Sequence, residues 1–287
     1  KGLDHIQVSA NWMAPTKEES ENLDLRKGVE ALSKICVDLD ISVPVGKDSL
    51  SMKTKWSEGG DEKIVTSPLS GVITAMAPVE DVSIGITPEL NTECDTNLLF
   101  VKMNNKSRLA GSIFSEVTQE NFSNTPDVDN TNQLKDLFNA IQELITEKKI
   151  LALHDISDGG LASALSEMCF TKKVGMDISL SDINFEDINS YLFAEEVGLV
   201  LQVAEKDSYQ IVNLLSSKFT VVNLGAINNS KTLNISCQSG SIFSEPIEKL
   251  ESKWREVSHA IQSIRDNTIS ADEEQNLLFD INHKGLF

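Results

Sequence analysis

Two short stretches of the chain bring together residue types that handle phosphate and metal. The first, His154-Asp155-Ile156-Ser157-Asp158-Gly159-Gly160-Leu161, places two acids, a hydroxyl and two glycines side by side. Asp155 and Asp158 are hard oxygen donors of the kind that hold Mg²⁺. Glycines let a ligand approach the backbone closely, and the free N–H groups of a helix start favour an anion such as phosphate. The same spacing also describes a plain turn, in which Asp158 or Ser157 caps the helix and Asp155 sits beside it. The second stretch is Val45-Gly46-Lys47-Asp48-Ser49-Leu50-Ser51-Met52. Here Lys47 has the charge to neutralise a phosphate, Asp48 the oxygens to hold a metal, and Ser49 or Ser51 a hydroxyl for a polar substrate. It lacks the first glycine and the spacing of a Walker loop. A hairpin turn with a surface Lys-Asp pair is the competing reading.

The elements that must carry these residues show in the hydrophobic periodicity. Residues 150–153 form an apolar run, and Leu161, Leu165, Met168 and Cys169 follow at i, i+4, i+7 and i+8, so the first stretch reads as buried strand, tight turn and helix start. The second follows a strand-like run at 41–45, whose Pro44 points to an edge or a strand end. Before it, residues 5–9 alternate as a strand and residues 9–15 read as an irregular loop. A helix opens near Asn22 or Asp24, with Leu25, Val29, Leu32, Ile35, Cys36 and Leu39 on one face. After it, residues 56–63 read as a loop tip and 64–65 and 71–76 as strands. Residues 78–96 have little periodicity and mark a domain boundary. A second domain begins with a strand at 98–103. Its clearest amphipathic helix carries Leu134, Leu137, Phe138, Ile141, Leu144 and Ile145. Strands follow at 176–180 and 198–203, separated by a short helix at 187–191. A helix at 207–217 turns Tyr209, Ile211, Val212 and Leu215 inward. Strands at 220–227 and 232–236 flank Asn228-Asn229-Ser230, a hairpin signal. Trp254, Val257, Ile261 and Ile264 mark a last helix, and the polar tail from 266 to 287 reads as a linker. The expected domains are 1–90, 91–248 and a helix-plus-linker segment, 249–287.

Composition bounds what such a chain does. Its 287 residues are 40% hydrophobic and 24% charged, an ordinary globular balance. The net charge of −19 argues against a general nucleic-acid partner or an anionic membrane. It leaves room for a local nucleotide site built from backbone and metal. Cys36, Cys94, Cys169 and Cys237 form no CxxC pair, so neither a zinc site nor a disulfide framework is expected; Cys36 and Cys169 lie on apolar helix faces and read as core. No apolar run is long enough to span a membrane and no signal peptide shows, which makes the cytoplasm the expected location.

Four motifs occur in order: Ser9-Ala10-Asn11-Trp12-Met13, Pro44-Val45-Gly46-Lys47-Asp48-Ser49-Leu50-Ser51-Met52, His154-Asp155-Ile156-Ser157-Asp158-Gly159-Gly160-Leu161 and Glu195-Glu196-Val197-Gly198. The series resembles the second half of the large form of the phosphoribosylformylglycinamidine synthase family, along the whole chain. The resemblance implies an α/β fold with mixed sheets of the aminoimidazole ribonucleotide synthase type. It has a partial N-terminal-type domain, whose early strands would precede Lys1, and a complete C-terminal-type domain. It implies a ligase of purine biosynthesis: ATP phosphorylates the amide oxygen of formylglycinamide ribonucleotide, and glutamine-derived ammonia displaces the phosphate. The implied cofactors are Mg²⁺ and ATP or ADP. The implied partners are a glutaminase domain beyond the tail and the first synthase-like half. By position, Asp155 resembles the Mg²⁺ ligand of an auxiliary nucleotide site, with Ser157 and Gly159 as nucleotide contacts. Gly46, Lys47, Asp48 and Ser49 resemble the piece lent to the catalytic site, with Lys47 on ATP phosphate and Asp48 on Mg²⁺; the small form has glycine and asparagine at the positions of Lys47 and Asp48. Leu109-Ala110-Gly111-Ser112 resembles a family Gly-rich loop. The alternative is a structural scaffold that holds a nucleotide while the chemistry lies elsewhere. With its partner half gone, the first domain is expected to expose a pairing face and to homodimerise.

Overall fold

A computed structural model describes residues 2–183, 187–277 and 279–280 of the chain. It divides into two units: Lys1–Gly85 with Val128–Glu143, and Ile86–Asp127 with Leu144–Phe287.

In the first unit, β1 (Gln7–Met13) is the centre of a three-stranded sheet. After α1 (Glu19–Leu39) the chain returns as β2 (Ser42–Ser49), parallel to β1. A hairpin of β3 (Lys53–Glu58) and β4 (Asp61–Thr66) then leads to β5 (Ser70–Met76), antiparallel to β1 on its other side. Three expectations are corrected here. Residues 9–13 are not a loop but most of β1. The 56–63 loop tip shrinks to Gly59-Gly60, with ladder residues on both sides. Gly46-Lys47-Asp48-Ser49 is not a turn after a strand but the strand itself, and its pairing to β1 supplies the backbone partners that a turn would lack. Side chains alternate along a strand. Ala10, Trp12, Gly46 and Asp48 therefore share the face that meets Leu25 and Val29 of α1, where a cavity of about 400 Å³ lies.

The second unit is a seven-stranded mixed sheet. Its strands are β6 (Thr96–Lys102), β7 (Ile150–Asp155), β8 (Gly175–Ser179), β9 (Gly198–Ala204), β10 (Thr220–Asn228), β11 (Thr232–Cys237) and β12 (Gly240–Pro246), in the order β12-β11-β8-β10-β6-β9-β7. Its helices are α2 (Ile113–Thr118), α4 (Gly160–Phe170), α5 (Ile188–Phe193), α6 (Glu205–Leu215), α7 (Ile247–Arg265) and α8 (Thr268–Leu277); α3 (Thr131–Thr146) runs across the division of the chain. The run Leu98-Leu99-Phe100-Val101 explains the position of β6. All four side chains are buried, two on each face, as a strand covered on both sides requires. Leu98 and Phe100 join Leu161, Leu165 and Met168 of α4 and Leu192 of α5 in the main core, while α6 packs on β6, β9 and β10.

The second unit departs from the sequence expectations at three places. Asn228-Asn229-Ser230 does not join a hairpin, because β8 inserts between β10 and β11 and pairs with both. The hairpin is instead β11–β12. Tyr209 of α6 is 80% exposed rather than inward. The tail is not a linker through Leu277, since α8 occupies it and buries Ala271; residues 278 and 281–287 lie outside the described ones.

Candidate functional site

The first stretch has the expected local form. β7 ends on Asp155, the chain turns through Ser157 and Asp158, and α4 starts at Gly160. Pairing with β9 sets His154 opposite Val200 and Asp155 opposite Leu199, and the Ile156 N–H donates to the Gly198 carbonyl at 2.9 Å. The Asp155 carboxylate is 72% exposed at this strand end, and Ser157 and Asp158 are exposed beside it.

The glycines serve the fold. Gly159 and Gly160 are buried and left-handed, with φ of 80° and 67°. A Cβ on Gly160 would sit 2.7 Å from the Leu192 carbonyl oxygen and 2.8 Å from the Phe193 carbonyl carbon, so its bareness lets α4 abut α5. The Gly159 N–H donates to Glu195 Oε1 at 2.9 Å, and the same oxygen accepts the Ile113 N–H of α2 at 2.9 Å. An anion does lie on these N–H groups, as electrostatics favour, but it is the chain's own carboxylate. Neither Ser157 nor Asp158 caps α4: the N-cap is Gly159, with no side-chain cap.

Glu196 is 4% exposed and forms a two-pronged pair with Arg108, Oε1 to Nε at 2.6 Å and Oε2 to Nη2 at 2.7 Å. Nearby, Lys102 is 5% exposed, donates to the Lys106 carbonyl at 3.1 Å, and has its Nζ 4.9 Å from the centre of the Tyr191 ring. Burial pulls its pKa below the ordinary lysine value, and the charge of Glu196 opposes that pull. Lys102 and Arg108 were not singled out from sequence. A lysine inside an apolar strand and an arginine before the Gly-rich loop were the available signals. In that loop Ser112 is the N-cap of α2, accepting the Ser115 N–H at 3.2 Å.

His154 is half-buried. Its Nε2 lies 3.0 Å from Glu167 Oε2 and its Nδ1 2.7 Å from the Asp155 carbonyl oxygen; Glu167 Oε1 accepts the indole N–H of Trp254 at 2.9 Å.

The second stretch is arranged differently. A Cβ on Gly46 would run into the Ala10 carbonyl oxygen, so this glycine admits the close approach of β1. Lys47 and Asp48 are adjacent in β2 and face opposite sides of the sheet. Asp48 lines the cavity beside α1, and Lys47 and the half-buried Ser49 do not. Among the described residues, no three His, Cys, Asp or Glu side chains converge to hold a metal ion.

A family model described as the FGAR-AT PurM_N-like domain matches residues 1–78, and one described as the AIR synthase related protein, C-terminal domain, matches 97–238. The phosphoribosylformylglycinamidine synthase of Schizosaccharomyces pombe is 38% identical over 294 residues, covering 99% of this chain. This chain belongs to the phosphoribosylformylglycinamidine synthase family. It spans 22% of the length of that S. pombe synthase. Solved structures agree on the fold. Thermotoga maritima PurL complexed with FGAR superposes with a TM-score of 0.61 at 12% identity, covering 86% of this chain and 40% of that one. A chain of the HypE–HypF complex gives 0.55 at 18% identity, covering 85% and 78%. No helix among the described residues is long and apolar enough to cross a membrane.

Proposed function

We propose that this member of the synthase family serves an ATP-dependent ligase that converts formylglycinamide ribonucleotide and glutamine-derived ammonia to the amidine, and that its own share is a nucleotide contact at the Asp155 turn. The observation that carries this reading is the Asp155 carboxylate, exposed at the end of β7 beside a helix start, in a chain 38% identical to the S. pombe synthase along its length. Asp155 would hold Mg²⁺ and Ser157 would meet the nucleotide. The donor fits in kind, because protein-bound Mg²⁺ takes one or two carboxylates and fills its remaining positions with phosphate oxygens and water. Bound there, the ion would offset the charge of the phosphates. The N–H of Gly159 has no part in this, being engaged by Glu195. A glutaminase domain and a first synthase-like half are the proposed partners, and formylglycinamide ribonucleotide and ATP the proposed substrates.

A scaffold role for β2 has its own support. Phosphate and metal contacts by Lys47 and Asp48 at one site would require both side chains on one face, and alternation separates them. In the full-length enzyme, Lys47→Ala and Asp48→Asn distinguish the two: loss of turnover assigns the pair, with Ser49, to catalysis, and retained turnover assigns β2 to the scaffold. For the Asp155 turn, the test is calorimetric titration of the chain with ADP, with and without Mg²⁺. The expected result is Mg²⁺-dependent binding that Asp155→Ala abolishes; binding indifferent to Asp155, or none at all, refutes the nucleotide role.

A further inference from the structure

We infer that Glu167 and Trp254 are positioning residues for the Asp155 turn, and that α7 sets the geometry of that turn through them; this rests on the reading of Asp155 as a nucleotide–Mg²⁺ contact.

The two oxygens of Glu167 meet different elements. Glu167 lies on α4, two turns past the Asp155 turn. Its Oε1 accepts the Trp254 indole N–H from α7 at 2.9 Å, and its Oε2 lies 3.0 Å from His154 Nε2 on β7. His154 directly precedes Asp155, and its other ring nitrogen is 2.7 Å from the Asp155 carbonyl oxygen. The ring lies between two accepting oxygens, and it donates to whichever of them faces a ring nitrogen that carries a hydrogen. Close contacts thus lead from α7 to the peptide group of Asp155 through Trp254, Glu167 and His154. The histidine side chain is 14% exposed and the Glu167 side chain 32%, so water competes weakly for the inner contact.

The far end of the path is anchored. Ile247 and Glu251 of α7 are buried, and Glu251 pairs with Lys173 and, at 3.0 Å, with Arg255. The Trp254 ring stands 5.7 Å from that of Phe170 at the end of α4. A helix held in this way is a fixed reference for the indole N–H, whereas the Asp155 carboxylate is 72% exposed, with its Oδ1 3.6 Å from His154 Nδ1. Groups that grip the neighbours of a metal ligand set its direction, and their removal commonly costs about tenfold or more in metal affinity. A contact path is not in itself coupling, so the test must read both ends.

The chain has three tryptophans, Trp12, Trp56 and Trp254, and hence three indole N–H resonances in a ¹⁵N spectrum. Trp254→Phe keeps a ring against Phe170, removes only the donor, and assigns the Trp254 signal. With Mg²⁺ and ADP added to the wild-type chain, that signal is expected to move as the site fills. In Trp254→Phe and Glu167→Ala, calorimetry is expected to give binding about tenfold weaker, with its Mg²⁺ dependence blunted. Glu167→Gln retains an oxygen for the indole and a polar group for His154, and is expected to restore most of the affinity. If Asp155→Ala abolishes binding while Glu167→Ala and Trp254→Phe bind as wild type and the Trp254 signal stays still, the positioning role is wrong and the nucleotide site stands. If Asp155→Ala binds as wild type, or the wild type does not bind, the nucleotide reading has failed and the inference with it. Weakening that Glu167→Gln does not relieve, with no movement of the Trp254 signal, marks a packing defect and also overturns the positioning role.

Discussion

Glu195 and Glu196 are neighbours with unrelated tasks. Glu195 takes the N–H groups of Gly159 and Ile113, while Glu196 is buried against Arg108. A buried pair is fragile to loss of one partner, because the survivor keeps its desolvation cost without its counter-charge. Arg108→Met is therefore expected to lower unfolding stability by about 3 kcal/mol or more in denaturant titration. Arg108→Met with Glu196→Leu is expected to recover most of that. A second residue-scale effect concerns alkali. Burial pushes the Cys169 thiol up to about 12 from an ordinary 9.0, and the Tyr191 hydroxyl to about 12 from 10.0. Between about pH 9 and 12 the unfolded chain gives up these protons and the folded chain keeps them. The stabilisation, whole below pH 9, is lost as pH rises, at up to about 1.4 kcal/mol per pH unit for each group. Denaturant melts of Cys169→Ala across this range should show a shallower decline than wild type.

At the scale of elements, the strand–turn–helix at β7 and α4 depends on a glycine pair that no other residue type replaces. Gly160 has φ of 67°, and a side chain there would strike the carbonyl groups of Leu192 and Phe193. Gly160→Ala is expected to cost about 2 kcal/mol or more, through both backbone strain and the forced separation of α4 from α5. A thermal melt checks this; an unchanged midpoint would mean that the α4–α5 contact yields at little cost. The turn itself was legible because its signals are local: an apolar run, breakers, then a 3.6-residue period. The acid that holds the Gly159 N–H was not legible, since Glu195 is 36 residues away. The β2 error has a related cause. Gly-Lys-Asp-Ser looks like a turn by propensity, and only the parallel partner β1 holds it extended.

At the scale of the molecule, the first unit leaves apolar surface uncovered. Val72 and Met76, 51% and 52% exposed, occupy the face of β2-β1-β5 away from α1. Exposed patches of this kind mark contact surfaces. The chain is expected to associate with itself at high concentration, and Val72→Lys to disperse it; a monomer mass by light scattering for the wild type at high concentration would contradict this.

The sequence by itself determined most of the helices and core strands, that the chain has an α/β fold of this family, and where a strand hands Asp155 to a helix start; it did not determine the extent of β1 and β2, or β12 and α8. Those properties follow from side-chain period, local turn chemistry and shared motifs. Tertiary structure alone decided that β8 lies between β10 and β11, that Glu195 takes the Gly159 N–H at the start of α4, that Arg108 meets Glu196 across 88 positions, and that Trp254 meets Glu167, which meets His154. Each of these is a pairing between groups distant along the chain. Periodicity tells which face of an element is buried, but not which of several compatible faces it will be buried against.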